Sequence, residues 1–249
     1  MPGYHTSRDF EAELRELRAH LLAMGARCER SVQLALKAFI EGSAELIAEV
    51  KSLDRHIDRD EMESDELALR ILALRQPVAH DLRLLATALK LVTDLERIGD
   101  EAVNIVERAE EAGEGSKLVP HPHLRAMADL TQQMLRDALD AFVEADTARA
   151  ERVRLADDAV DELYAKTLSE MMSFMKQNAD KVPGAMGVVN VAKYLERIAD
   201  HATNIAEEVI FMVAGHDVRH ESQRPPGVPF GGARTADLDA ARRKGPAPA

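Results

Sequence analysis

Two fourteen-residue stretches decide how this chain is read: DLERIGDEAVNIVE at Asp94–Glu107 and YLERIADHATNIAE at Tyr194–Glu207. They align without a gap at an offset of 100 residues. A shorter pair lies upstream, DRHID at Asp54–Asp58 and DDAVD at Asp157–Asp161, offset by 103. Self-similarity at a nearly fixed spacing is the mark of a duplicated structural unit. Within each copy, apolar residues recur at steps of three and four. That is the stripe of an amphipathic helix and not the alternation of a strand.

The same period extends outward from these stretches. Phe10, Leu14, Leu17, Leu21, Met24, Cys28, Val32, Leu36 and Phe39 fall at steps of three or four. Thr6 is a candidate N-cap for this first helix and Gly42 a candidate stop. The pattern predicts further helices over 44–75, 78–112, 124–145, 148–181 and 186–214, broken by Gly and Pro clusters such as GEGSKLVPHP at Gly113–Pro122. With 249 residues, 46% of them hydrophobic and only 4% aromatic, the chain can bury a core but is poorly supplied for strands. The expected fold is all-α, two tandem three-helix bundles of six long helices from an internal duplication. The first bundle is expected over 7–112 and the second over 122–215.

Residues 216–249 differ in composition, with five of the ten Pro. They carry six basic and four acidic residues, so residues 1–215 hold a net charge of −14 of the total −12. A segment this poor in apolar residues is expected to be a disordered tail. A strongly acidic chain repels phosphates and anionic lipid, so no nucleic-acid partner is expected. One Cys excludes a disulfide framework. No apolar run reaches the length of a membrane span, which takes roughly 18 residues, and no signal-peptide core is visible, so a cytoplasmic protein without direct membrane insertion is expected.

The carboxylates of the repeat are the candidate site. At about 100° per residue, Asp100 lies about 40° from Glu96 and Asn104 about 80°, continuing the stripe of Leu85, Leu89 and Val92 that should face the bundle. Glu196, Asp200 and Asn204 repeat this on the last helix. Asp54, Asp58 and Glu61, with Asp65, form a parallel row, and Asp157 and Asp161 stand in the equivalent place. Acids at i and i+4 lie one turn apart and repel each other unless something positive meets them. One answer is a hard cation held by oxygen donors, which favours Mg, Ca, Mn or iron over structural zinc. The other is pairing with Arg97, Arg197 and neighbouring arginines. His201, adjacent to Asp200, points elsewhere and fits a partner-bonded histidine better than a ligand. Cys28 and the methionines 171, 172 and 175 fit core packing. No Glu-x-x-His, His-Glu-x-x-His, Walker loop, Gly-x-Gly-x-x-Gly or Gly-x-Ser-x-Gly occurs, so nothing in the sequence calls for an enzyme.

These residues resemble a known family. QPVAHDLRLLATALKLVTDLERIGDEAVNI (Gln76–Ile105) is similar to the first-repeat signature of the PhoU family of phosphate-signalling regulators, and YLERIADHATNIAEEVIFMVAGHDVRH (Tyr194–His220) to the second. The resemblance spans about residues 10–220. It implies two three-helix bundles, commonly a homodimer, and a non-catalytic cytosolic role as a negative regulator of phosphate uptake. The implied partners are the ATPase subunit of a phosphate ABC transporter and a sensor histidine kinase. It also implies metal clusters on Asp54/Asp58, Glu96/Asp100, Asp157/Asp161 and Glu196/Asp200, with iron, zinc, manganese or magnesium as the candidate ions. Two alternatives remain beside it: a carboxylate-cluster protein with a storage or enzymatic role, and a metal-free helical interaction domain. The second repeat has Tyr164 where the first has Glu61, and lacks the Pro-Val-Ala-x-Asp-Leu-Arg segment. The two metal sites should therefore differ.

Overall fold

The computed structural model describes residues 4–112, 121–216 and 218, and these form six α-helices. They are α1 (Tyr4–Glu41), α2 (Ala44–Arg75), α3 (His80–Ala112), α4 (Pro122–Glu144), α5 (Thr147–Gln177) and α6 (Val182–Ala214), with a 3-10 turn at Ala179–Lys181 before α6. Among the described residues there is no strand. The expected tail lies, apart from His216 and Val218, outside the described residues, as does most of the predicted breaker cluster after α3.

Local chemistry sets the helix ends. Gly42 takes φ 65° and its N–H closes on the Ala38 carbonyl at 2.8 Å, the left-handed stop that a glycine supplies without Cβ strain. Ser43 then caps α2, its hydroxyl accepting from the Leu46 N–H at 3.3 Å. Gln76 ends α2 in the left-handed region ahead of Pro77. Asp146 caps α5 by accepting from the N–H groups of Ala148 and Arg149. Two expectations shift. α1 already runs through Thr6, so Thr6 is inside the helix and is not its cap. α6 begins ahead of Pro183, because a proline in the first turn of a helix loses no hydrogen bond it would otherwise make.

Within each repeat every helix packs on the other two, and the repeats join through α3 against α6 and α1 against α4. α2 and α5 touch only their own repeat and lie outermost. Their burial agrees: seven residues of α2 and five of α5 are buried, against fifteen of α6. The α3–α6 seam is antiparallel. Arg83 donates to the Met212 carbonyl at one end, Thr87 to the Glu208 carbonyl next, and Arg197 pairs with Glu101 at the other end. Leu85, Leu91, Leu95 and Ile98 of α3 and Val188, Leu195, Ile198 and Ile205 of α6 are all fully buried. The predicted stripe of α1 is buried from Leu14 to Phe39, and the Cys28 thiol, fully buried, donates to the Leu95 carbonyl at 3.2 Å. Met171 is buried as expected, but Met172 is 50% exposed, since it steps off the inner face of α5.

Glycines mark where the helices come close. A Cβ on Gly25 of α1 would stand 2.8 Å from Leu139 Cδ1 of α4, whereas one on Gly187 of α6 would meet Phe39 at an ordinary 3.9 Å. Gly187→Ala is therefore expected to raise the melting temperature through helix propensity, worth about 0.5–1 kcal/mol. Gly25→Val should lower it by overpacking the α1–α4 crossing, about 1–3 kcal/mol. Thermal unfolding of both variants by circular dichroism checks the pair.

Candidate functional site

The structure gathers the predicted acids into two rows. In the first, Asp54, Asp58, Glu61 and Asp65 of α2 stand beside Glu96 and Asp100 of α3, close enough that Asp54 is perturbed by Asp58 and Asp100, and Glu96 by Asp100, Glu61 and Asp58. In the second, Asp157 and Asp161 of α5 stand beside Glu196 and Asp200 of α6. The spacing of four along each helix puts neighbouring acids one turn apart, and the pairing of adjacent helices doubles the row.

These rows do not face the bundle core, as the angular reading had it. Asp58, Asp161 and Asp200 are exposed and the other acids half-buried, so each row runs along the rim of a groove, α2–α3 in one repeat and α5–α6 in the other. Beneath the acids the packing between the helices is apolar, with Ile57 and Leu95 fully buried. A Cβ on Gly99 would lie 3.2 Å from Ile57 and 3.6 Å from an Asp54 oxygen, so the bare backbone there lets α2 settle against α3. Ala199 occupies that place in the second repeat.

Half-burial has an electrostatic consequence. Desolvation, then repulsion from Asp58 and Asp100, pushes Asp54 up to about 6; desolvation, then Asp200 and Asp161, pushes Asp157 up to about 6. The buried Thr203 hydroxyl partly offsets this at Asp157, although it makes no hydrogen bond of good geometry. Glu61, Asp65, Glu96, Glu196 and Asp200 are also raised, burial being the first cause for each. One Asp65 oxygen is buried without a hydrogen-bond partner.

Arginine meets the two rows differently. Arg97 pairs with Glu96 at 3.3 Å and with Asp100 at 3.2 Å. Its counterpart Arg197 pairs instead with Glu101 across the seam at 2.9 Å, and among the described residues no cation lies within 4 Å of Glu196, Asp200, Asp157 or Asp161. The two asparagines are also drawn into the seam. Asn104 donates to Glu101 at 3.0 Å, and Asn204 donates to Asp94, which His201 meets through Nδ1 at 2.8 Å. Asn104 and Asn204 thus spend their amide N–H groups on Glu101 and Asp94, while the amide oxygens, the atoms a cation would use, take no part in those bonds. His201 is partner-bonded, as its angular position indicated.

Half-buried oxygen donors, mutually repelling and with an unpartnered oxygen at Asp65, suit a hard cation. Among the described residues no three acidic, His or Cys side chains already close on one point as a finished ligand shell. Coordination would thus draw neighbouring carboxylates inward from their rows. The sequence reading missed a third cluster. His121 and His123 both bring Nε2 to Glu170, at 3.0 and 3.1 Å. Its signal was the His-x-His pair at the start of α4, His121 at the N-cap and His123 in the first turn. The buried His121 Nδ1 has no partner, so the ring proton belongs on Nε2, donated to Glu170. A metal at Nε2 would move that proton to a buried site without an acceptor.

Six antiparallel helices in two repeats, each with a carboxylate row on its outer groove, define a class: a duplicated all-helical scaffold with paired acidic rows. The chain belongs to the PhoU family, whose domain matches residues 21–109 and 124–209, once per repeat. It is 40% identical over 243 residues to a phosphate-specific transport system accessory protein PhoU homolog of Pseudomonas putida, covering 97% of this chain and 95% of that one. The homolog from Pseudomonas aeruginosa is 41% identical over 218 residues, 87% and 90% of the two chains. The crystal structure of PhoU from Pseudomonas aeruginosa superposes with a TM-score of 0.79 at 39% identity, covering 83% of this chain and all of that one. The phosphate transport system regulatory protein PhoU from Streptococcus pneumoniae gives 0.77 at 27% identity, over 84% and 99%. No described helix is long and apolar enough to cross a membrane.

The raised carboxyls fix a pH dependence. A folded-state pKa above the unfolded one means that the native protein holds protons the unfolded chain has released, so stability falls as pH rises from about 4 through about 6. Without added cations, the melting temperature should be higher near pH 5 than at pH 7.5 on account of these groups. Asp54→Asn and Asp157→Asn should each raise it at pH 7.5, by about 2–4 °C for a gain of about 1 kcal/mol. Their partial exposure keeps the gain small. Melting curves of the metal-free protein across that range check it.

Proposed function

We propose that this chain is a cytoplasmic, non-catalytic negative regulator of phosphate uptake and of the phosphate-starvation response, working as an adaptor. The observation that carries this is the match of both repeats to the PhoU domain, together with relatives described as phosphate-specific transport system accessory proteins that align over nearly the whole chain. Its partners on this reading are the ATPase subunit of the phosphate ABC transporter and the sensor histidine kinase of the phosphate two-component system. The working form is a homodimer. A net charge of −12 supports protein partners over nucleic acid or a bare anionic bilayer. Deleting the gene should raise phosphate uptake and starvation-gene expression in phosphate-rich medium, and the full-length protein should co-purify with the ATPase subunit. Unchanged reporter expression in the deletion strain, with no co-purification, overturns the adaptor reading.

The same reading gives the rows a cation each: Asp54, Asp58, Glu61, Glu96 and Asp100 in the first, Asp157, Asp161, Glu196 and Asp200 in the second. Iron, zinc, manganese and magnesium are the candidates, oxygen donors favouring the harder ions. A bound cation would supply positive charge between α2 and α3, where Arg97 alone pairs with the row, or between α5 and α6, where the acids repel one another. The Arg97 pairs favour a metal-free state of the first row and keep that alternative in play. Glu96→Ala/Asp100→Ala and Glu196→Ala/Asp200→Ala are each expected to remove the metal of one row, leaving the other row and the helical content intact. Elemental analysis of protein purified without chelators, beside melting temperatures, checks this. Metal content equal to wild type in both variants, with lowered stability, makes the rows structural.

A further inference from the structure

Resting on the reading that the rows bind cations, we propose that the one difference between Glu101 and its counterpart His201 decides which row carries a built-in competitor: Arg97 acts as a tethered cation on the first row, while Glu101 holds Arg197 off the second. In sequence the two segments are nearly identical, Leu-Glu-Arg-Ile-Gly-Asp and Leu-Glu-Arg-Ile-Ala-Asp, and each arginine stands one residue past a row glutamate. On that evidence both arginines should behave alike. They do not, and the antiparallel seam shows why.

The offset of 100 makes Arg97 and Arg197 counterparts, and likewise Glu101 and His201. α3 and α6 run antiparallel, so the register that sets Arg197 against Glu101 places position 201 opposite Arg97 by the same step. Arg197 finds Glu101, a carboxylate only 3% exposed, at 2.9 Å. Asn104 donates to the other Glu101 oxygen at 3.0 Å, which fixes the acceptor in place. The position that Arg97 faces holds His201, a ring already bound through Nδ1 to Asp94 at 2.8 Å and no anion. Arg97 turns back along its own helix and spans Glu96 and Asp100 at 3.3 and 3.2 Å. A metal entering the first row must displace a guanidinium from two of its donors; a metal entering the second row displaces none, Arg197, His201 and Lys193 acting on Asp200 and Glu196 only from beyond ion-pair distance. Arg97 is 54% exposed, so its hold is that of a weak surface pair, replaceable by a divalent ion rather than a block to it.

The test is a calorimetric titration of Mn²⁺ into full-length protein. The Glu196→Ala/Asp200→Ala background isolates the first row and Glu96→Ala/Asp100→Ala the second. In the first-row background, Arg97→Gln and His201→Glu should each tighten Mn²⁺ about two- to fivefold, the range a half-exposed ion pair permits. One variant removes the competitor; the other gives it a seam partner. In the second-row background, Glu101→Gln should weaken Mn²⁺ by a similar factor, because Arg197 is freed to swing onto the row. That loss should vanish when Arg197→Gln is added. If Glu101→Gln weakens binding equally with Arg197 gone, the effect is only the lost charge of Glu101 and the proposal is overturned. Unchanged affinity in both His201→Glu and Glu101→Gln, in proteins that bind Mn²⁺ and melt cooperatively, overturns it too while leaving the metal reading intact. A wild type that takes up no Mn²⁺ overturns both.

Discussion

The antiparallel packing of α3 on α6 is the constraint on which the other features depend. These two helices carry the repeated sequence, and the residues they bury against each other and their own bundles are almost all branched aliphatics or alanine. Burying such side chains is worth roughly 1.5–3 kcal/mol each, an upper figure because the unfolded chain is already partly collapsed. No charged pair in the seam approaches that sum. Once the seam is set, α1 and α4 close the second contact between repeats, and α2 and α5 are left to cover the flanks. The outer grooves exist because of that order, and the carboxylate rows lie along them.

The rows then cost stability that the seam can spare. Each raised carboxyl records free energy spent on holding a charge away from water and near its like. Structural acids on a helix surface usually avoid this by turning outward or pairing with Lys or Arg. Here the first row is partly neutralised by Arg97 and the second by no cation within ion-pair distance among the described residues. Locally unfavourable arrangements of this kind mark positions kept for something other than stability.

Much of the fold was legible because its signal is long. Thirty-residue stripes at a 3.6 period leave little room for another reading, and α2 runs over the very residues predicted for it. The ends were less legible where proline was read only as a breaker: α6 starts four residues earlier than the pattern implied, with Pro183 in its first turn. For the rows, spacing predicted which acids share a helix face, and the structure places those acids in two groups. Spacing could not tell rim from core, since an angle around one helix does not say how wide the neighbour's cover is. Nor could it place Asn204 or Arg197, whose partners belong to the other repeat and are set by the seam's register. The His121, His123 and Glu170 cluster needed the packing of α4 on α5 to appear.

The seam also speaks to ancestry. In an antiparallel pair of equivalent helices the same surface is presented from both sides, which is the geometry of two identical subunits related by a two-fold axis. A single three-helix unit with this α3 could have met a second copy of itself in the same way, each residue obliged to suit its own image. Joining the copies into one chain removes that obligation. Position 101 can become glutamate while position 201 becomes histidine, a combination that identical subunits cannot adopt. Asymmetry between the two grooves is therefore a freedom that came with fusion.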